Sequence, residues 1–333
     1  MTGRKPTVYD IARKLNLSPS TVSRALDDSA LVGSDTARLV RAAAAQLGYT
    51  RKNVRRPESR SISTIKLYIP ESRDAYVHLF YDLAELIDGL QQGFADARIN
   101  ILTGLNDDSE ASFQAKKTTM EDGAVFAFTE ASDKLYQRYA DRGVPVIHIN
   151  RIRPERNYIA VDNYLGMETL LRQVVDARPD AKPCFIGFSP VEYVSRERRA
   201  GLLGAASKMG LPMGQEDCFD FDTIKSVDGN FVRFLVEKKY TAMFCFNDLV
   251  AVHLYNRALR EGFRIPEDFA LTGFDNAPVL DLAAKRIDTV DFSIRELGTQ
   301  TGLWLKRRLI DRSPEHLRTT LAGDYISGET IRI

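Results

Sequence analysis

The first fifty residues carry a spacing that few folds can satisfy. Val8, Ile11, Ala12 and Leu15 recur at i, i+3, i+4 and i+7, the pattern of one buried helical face, and Thr7 stands where it can cap that helix. Asn16 and Leu17 leave room for a tight turn only. Ser18 is a good N-cap and Pro19 a good first helical residue, because proline has no N–H to leave unpaired there, so a second helix is predicted to start at once and run through Asp28. Val22 and Leu26 face inward from it, while Ser20, Thr21, Ser23 and Arg24 face out. A third helix is expected from Ser34 to Leu47, capped by Ser34 or Asp35 and ended by Gly48, with Leu39, Val40, Ala43, Ala44 and Leu47 turned to the same core. Two short helices joined by a tight turn, with a third in support, make a helix-turn-helix, which lays its second helix in the DNA major groove.

Charge points the same way. The net charge of +1 hides an asymmetry: residues 1–60 carry 12 Lys/Arg against 5 Asp/Glu, and the rest of the chain 34 against 40. A basic head on an acidic body is what a nucleic-acid binder with a separate second function shows, since Lys and Arg neutralise phosphates.

The segment TVYDIARKLNLSPSTVSRALDDSALVGSDTARLVRAAAAQLGY closely resembles the head of the lactose-repressor (LacI/GalR) family of bacterial transcription regulators. The resemblance implies that Pro19 and Ser20 are the variable specificity positions and that Arg24 reads a base, its fork fitting guanine O6 and N7. By the same match Thr7, Tyr9, Ser18, Thr21 and Ser23 position phosphates. Pro19 has no side-chain donor, so its readout is limited to apolar contact.

The stretch after Tyr49, TRKNVRRPESRSIS, is basic and lacks apolar periodicity, and it reads as a linker. The family forms a hinge helix here, with a leucine wedge in the minor groove. This chain offers Glu58 or Ser59 at that position, depending on whether the alignment counts from Tyr49 or Asn53, and Pro57 interrupts the helix. Asn53, Arg55 and Arg56 are expected to contact DNA, as part of a basic arm suited to a narrow A·T-rich minor groove with little kinking.

From Ser63 the chain alternates apolar runs with amphipathic stretches. Runs at 65–69, 99–103, 124–128, 145–149, 184–187, 242–246 and 269–273 are interleaved with helical patterns over 82–98, 165–177, 198–208, 227–238 and 249–261. Repeated strand-then-helix order implies parallel sheets with right-handed crossovers, so the fold class expected is α/β: an all-α head and a two-lobed body divided near Val161 to Tyr164. Ligands bind outside the carboxyl ends of such strands. The residues there are polar: Asn150 and Arg151, Asp162 and Asn163, Asn247 and Asp248, Asp275 and Asn276.

The motifs VDNYLG, SRERRAGLLGA, FNDLVAVHLYNRALREGF, GFDNAP and IDTVDF resemble the effector-binding domain of the same family, which is similar to periplasmic sugar-binding proteins. The match then covers essentially the whole chain. It implies a head over 1–49, a linker over 50–62 and a body over 63–333. Its first lobe would take about 63–161 and 293–321, its second about 162–292 and 322–333. It makes Arg198 and Asp275 the paired charged effector contacts, with Asn247 and Asn150 adding hydrogen bonds and Phe292 standing where the family has glutamine. An arginine fork with carboxylate and amide acceptors suits vicinal hydroxyls or a small carboxylate. Asp162 and Asp248 are assigned to helix capping. Contacts from Tyr76, His78 or Phe80 are also considered.

Catalysis finds little support. His78, His148, His253 and His316 lack metal spacing, no P-loop or G-x-S-x-G elbow is present, and no metal or other cofactor is expected. Cys184, Cys218 and Cys245 are far apart with no CxxC pair, which fits buried thiols in a reducing compartment. The N-terminus has no apolar h-region and no apolar stretch approaches membrane-spanning length, so the expectation is a cytoplasmic protein off the membrane. The function expected is a transcriptional regulator, a repressor, binding a near-palindromic double-stranded operator as a homodimer under control of a small polar, carbohydrate-like effector. The alternatives are a constitutive DNA-binding regulator and a cytoplasmic small-molecule-binding protein.

Overall fold

The computed structural model describes residues 6–26, 32–47, 49, 62–71, 82–95, 97–106 and 121–332. The chain divides into two compact units, Met1–Ser61 and Ile62–Ile333.

The first unit holds α1 (Val8–Leu15), α2 (Pro19–Leu26) and α3 (Ser34–Gln46). Helix α1 begins at Thr7, whose backbone N–H and hydroxyl both donate to the Asp10 carboxylate, at 2.8 and 2.7 Å. That carboxylate satisfies a donor the helix leaves orphaned and complements the positive helix end. The helix stops at Asn16, which takes a left-handed φ of 51°, a conformation asparagine tolerates. Ser18 opens α2 by accepting the Thr21 N–H at 3.0 Å.

Ile11, Ala12, Val22, Ala25, Val40, Ala43 and Ala44 form the buried core of the head, and Leu15, Leu26 and Leu47 pack on it partly exposed. Ala25 rather than Leu26 thus completes the inner face of α2. Leu39 departs from its expected burial: Val40, Ala43, Ala44 and Leu47 define the inward stripe of α3, and Leu39 stands beside it, 59% exposed. The cap of α3 is Gly33, not Ser34 or Asp35; Ser34 is already its first helical residue. Asp27, Asp28 and Gly48 lie outside the described residues.

The second unit contains two parallel sheets. The larger has the order β11–β5–β4–β3–β1–β2, built from β1 (Ile62–Pro70), β2 (Arg98–Asn106), β3 (Gly123–Ala127), β4 (Val146–Ile149), β5 (Tyr158–Val161) and β11 (Arg318–Leu321). The smaller has the order β7–β6–β8–β9, from β6 (Pro183–Phe188), β7 (Cys218–Phe221), β8 (Ala242–Cys245) and β9 (Ala270–Thr272). Strands β3, β4, β6 and β8 are buried throughout, as strands covered on both faces must be. In each sheet the chain starts inside and builds outward both ways, β1 lying between β2 and β3, and β6 between β7 and β8. Strand order reverses there, which opens a crevice at the carboxyl ends. A short antiparallel ribbon, β10 (Thr289–Asp291) with β12 (Asp324–Ile326), accompanies the returns of the chain.

The larger sheet is completed by distant parts of the chain. Helix α4 (Leu83–Phe94) packs against the helix Ile294–Leu309 through Gly89, Gly93, Gly298 and Gly302. A Cβ on Gly93 would stand 2.6 Å from the Leu303 nitrogen, so the two backbones approach to a distance that admits no side chain. In the same lobe His148 is fully buried on β4, stacked on Phe126 at 5.4 Å and on Tyr136 at 6.3 Å, and its Nε2 accepts the Ala131 N–H at 3.3 Å. Burial pushes its pKa down to about 4, helped by the nearby Arg156 charge.

Candidate functional site

The exposed face of the head is set by α2. Ser18, Pro19, Ser20 and Arg24 are exposed and Thr21 and Ser23 half-buried, while Tyr9 on α1 is 67% exposed. Ser18 Oγ bonds Ser20 Oγ at 2.8 Å and Thr21 Oγ1 at 2.7 Å. Three hydroxyls sharing two bonds use two of their three protons, so the cluster has one O–H to give outward. Thr7 is more committed, since its hydroxyl proton and backbone N–H both go to Asp10. A phosphate accepts hydrogen bonds and donates none, so Thr7 contributes by holding the start of α1. Asn53, Arg55, Arg56, Tyr76, His78 and Phe80 lie outside the described residues.

The second candidate is a cleft at the carboxyl ends of both sheets. From the larger sheet it is lined by Pro70 and Glu71 after β1, Phe128 after β3, and Asn150 and Arg151 after β4. The smaller sheet contributes Pro190, Val191, Val194, Arg198, Phe246, Asn247 and Asp275, with Phe292 beside the ribbon. The empty space amounts to about 720 Å³ with the open mouth included. All five residues expected to contact effector, Asn150, Arg198, Asn247, Asp275 and Phe292, line this one cleft.

Arg198 is the organising side chain. It is buried, 2% exposed, on the helix Glu192–Met209, and its planar fork is fully placed. Nε donates to Asn163 Oδ1 at 3.0 Å, Nη1 to the Phe246 carbonyl at 2.6 Å and Nη2 to Asp275 Oδ1 at 2.6 Å. The Phe274 ring lies 3.8 Å from the guanidinium carbon and the Phe246 ring 5.1 Å, so cation–π attraction helps hold a buried charge. Burial raises the Asp275 pKa to about 6 against the lowering effect of Arg198 and of the Asn247 amide.

Asp275 has a positive φ of 106°, and two other lining residues, Phe128 at 59° and Asn150 at 57°, share the left-handed region. Such backbones persist only where surroundings over-determine them. For Asp275 those surroundings are the bond from its N–H to the Val290 carbonyl at 2.9 Å and the Arg198 pair. Asn150 is held likewise, its N–H bonding the Ile159 carbonyl at 2.8 Å.

One assignment changes. Asp162 caps the helix Asn163–Ala177 as expected, accepting the Leu165 N–H at 2.9 Å, but the helix Asp248–Arg260 is capped by Asn247, which accepts the Val250 N–H at 3.1 Å. Asp248 is instead the first helical residue, fully buried, and its carboxylate takes the Ala277 N–H at 2.6 Å and the Thr289 hydroxyl at 2.7 Å. Burial, reinforced by the Asp275 charge, pushes its carboxyl well above the usual range. Asn247 therefore does double duty, ordering a helix start and supporting Asp275. Phe292 packs at 6.4 Å on Phe274 while lining the cleft, which joins both roles an aromatic could have there.

Residue spacing did not single out Asn163 as the orienting partner of Arg198, nor Phe246, whose carbonyl does the same. Arg151 stands at a position sequence order marks as worth inspecting, and the structure puts it in the cleft wall.

Residues 7–52 match the family described as bacterial regulatory proteins, lacI family, and residues 182–331 match the periplasmic binding protein-like domain. The chain is 24% identical over 339 residues to the HTH-type transcriptional repressor PurR of Vibrio cholerae serotype O1, covering 98% of each. Its fold is similar to that of the lac repressor dimer bound to operator and the anti-inducer ONPF (TM-score 0.66, 16% identity, 99% of this chain and 100% of that one). It is also similar to the transcriptional regulator CelR in complex with cellobiose (TM-score 0.64, 21% identity, 98% of this chain and 99% of that one).

Proposed function

Because the chain is a member of the lacI family of bacterial regulatory proteins, we propose that it is a DNA-binding transcriptional repressor whose operator affinity is set by a small polar effector in the cleft. The observation that carries this reading is the Arg198–Asp275 pair, two charged groups buried in the wall of a cleft, where desolvation makes an ion pair a weak source of stability. Its remaining N–H and carboxylate lone pairs suit the alternating donors and acceptors of a sugar or similar polyhydroxy ligand. The solved relative CelR was captured with cellobiose, which supports a carbohydrate-like effector.

On this reading residues 1–49 are the DNA-binding head, 50–62 the linker and 63–333 the effector-binding and dimerisation body. Arg24 reads a base, Ser18, Thr21, Ser23 and Tyr9 position phosphates, and Pro19 and Ser20 tune specificity. The protein acts in the cytoplasm as a homodimer on a near-palindromic operator, because a two-fold protein presents two recognition helices to two half-sites, and it performs no catalysis.

Footprinting on the DNA flanking its own gene, with and without a panel of sugars and sugar derivatives, tests the reading. One ligand should change the occupancy of a two-fold site by tenfold or more. A footprint indifferent to every ligand would make it a constitutive DNA-binding protein, and ligand binding without a footprint would make it a small-molecule-binding protein.

A further inference from the structure

The cleft holds two arginines in opposite electrostatic conditions. Arg198 has its own carboxylate, Asp275. Arg151 has none. Its Nη1 donates to the Asn150 carbonyl at 2.7 Å, and its other N–H groups meet no acceptor among the described residues. Glu130 acts on it only through space and is itself paired with Arg153 at 2.6 Å. Glu71 lines the same cleft but is exposed and forms no ion pair among the described residues. Desolvation is the largest influence on Arg151 and pulls its pKa down, so the guanidinium sits where water compensates it poorly. The Tyr193 ring, from the helix Glu192–Met209 across the cleft, lies 5.8 Å from the guanidinium carbon, which narrows the space around it further.

We infer that the effector is a polyhydroxylated molecule bearing one oxyanion group, a sugar carboxylate or a sugar phosphate, and that Arg151 binds that group. The inference rests on the cleft being the effector site. A planar guanidinium with an unused fork fits a carboxylate or phosphate in a bidentate way, and the ligand supplies the counter-charge the protein withholds. A neutral hydroxyl would take a hydrogen bond from Arg151 and leave its charge uncompensated. The rest of the ligand meets groups matched to hydroxyls, Asn150, Asn247 and the Arg198–Asp275 pair, and Phe128 and Phe292 add apolar lining for its C–H surface. Loss of the fork should matter most for the acid and least for the corresponding neutral sugar.

Titration calorimetry on the full chain tests this with matched pairs: galacturonate against galactose, gluconate against glucitol, and glucose 6-phosphate against glucose. At least one acid should bind 10- to 100-fold more tightly than its neutral partner, and Arg151→Gln should reduce that ratio to near one while Arg151→Lys keeps part of it. The uronate, aldonate and phosphate arms separate the two sources of oxyanion. Circular dichroism and unfolding midpoints of both variants, matching wild type, establish that the loss is not unfolding. A neutral sugar that binds more tightly than its acid, or an acid preference that survives Arg151→Gln, would overturn the inference and leave the effector-site reading standing. Silence across every pair would overturn both.

Discussion

Arg24 in the head and Arg198 in the body are the same side chain under opposite conditions. Arg24 is exposed and makes no hydrogen bond or ion pair among the described residues, whereas Arg198 is 2% exposed and anchored by Asn163, Phe246 and Asp275. An exposed arginine keeps its donors for a partner that arrives from outside and orders the side chain only on binding. A buried one is ordered before the ligand comes, at the cost of a desolvated charge that the protein must compensate itself. The head is thus built for a large, charged, repetitive partner, and the cleft for a small one met in a fixed geometry.

The sharpest way to break this comparison is to truncate both. Arg198→Ala leaves the Asp275 carboxylate and the Phe246 carbonyl buried without their donor, and should destabilise the body by about 3–5 kcal/mol in urea unfolding. Arg24→Ala should stay within about 0.5 kcal/mol of wild type in the same measurement. Equal losses would mean that Arg24 is a structural residue after all.

A second test uses the buried titratable groups of the body. The folded-state pKa of His148 is lowered to about 4, so its neutral form stabilises the fold above the unfolded value near 6.5, and that stability is lost as pH falls through about 4. Asp275 has the opposite sign: raised to about 6, it favours the fold when protonated, and that contribution is lost as pH rises from about 4 through about 6. Each is worth about 3 kcal/mol across its window, so they largely offset in wild type. His148→Phe should therefore gain stability on acidification from pH 6 to 4 relative to wild type, and Asp275→Asn should lose it. Chemical denaturation at both pH values reads the two slopes; slopes of the same sign would refute the burial argument.

The smallest effect should be the most selective. Arg24→Ala should reduce operator discrimination by about 1–3 kcal/mol per half-site while leaving general DNA affinity comparatively intact, measured by anisotropy on specific and scrambled duplexes at one salt concentration. A uniform drop on both duplexes would move Arg24 from base reader to phosphate contact.

The head was legible because its signal is local. Ser18 and Pro19 announce a helix start by their own chemistry, and the stripe from Val8 to Leu15 needs no knowledge of what it packs on. Leu39 shows the limit: its hydrophobicity is helical in period, but its place on α3 is settled by where α1 and α2 sit. In the body, long apolar strands such as β1 and β6 could be read directly. Strands β7 and β11, with the sequences CFDF and RTTL, could not, because their polar residues face solvent at sheet edges and only the pairing partner makes them strands.

The site followed the same division. Polar residues after strands marked its walls, and Asn150, Asn247 and Asp275 were found there. The division of labour between Asn247 and Asp248 was not legible, since either can cap a helix and only the fit of Asp248 under Ala277 and Thr289 decides between them. Nor could spacing distinguish the compensated Arg198 from the uncompensated Arg151, because compensation is a matter of which distant carboxylate arrives.

The seam of glycines between α4 and the helix Ile294–Leu309 has a consequence for synthesis. The sheet begun by β1 at residue 62 is not closed until β11 at residue 321, and the helix that covers it emerges only shortly before. The strands and helices of the smaller sheet, β6 to β9, are contiguous and all precede it. At about 5–20 residues per second the interval on the ribosome is roughly 10–50 s, during which α4 offers a bare glycine groove with nothing to fill it. The lobe begun first thus waits for nearly the whole chain, and the nascent chain must carry it half-built past all four strands of its neighbour's sheet.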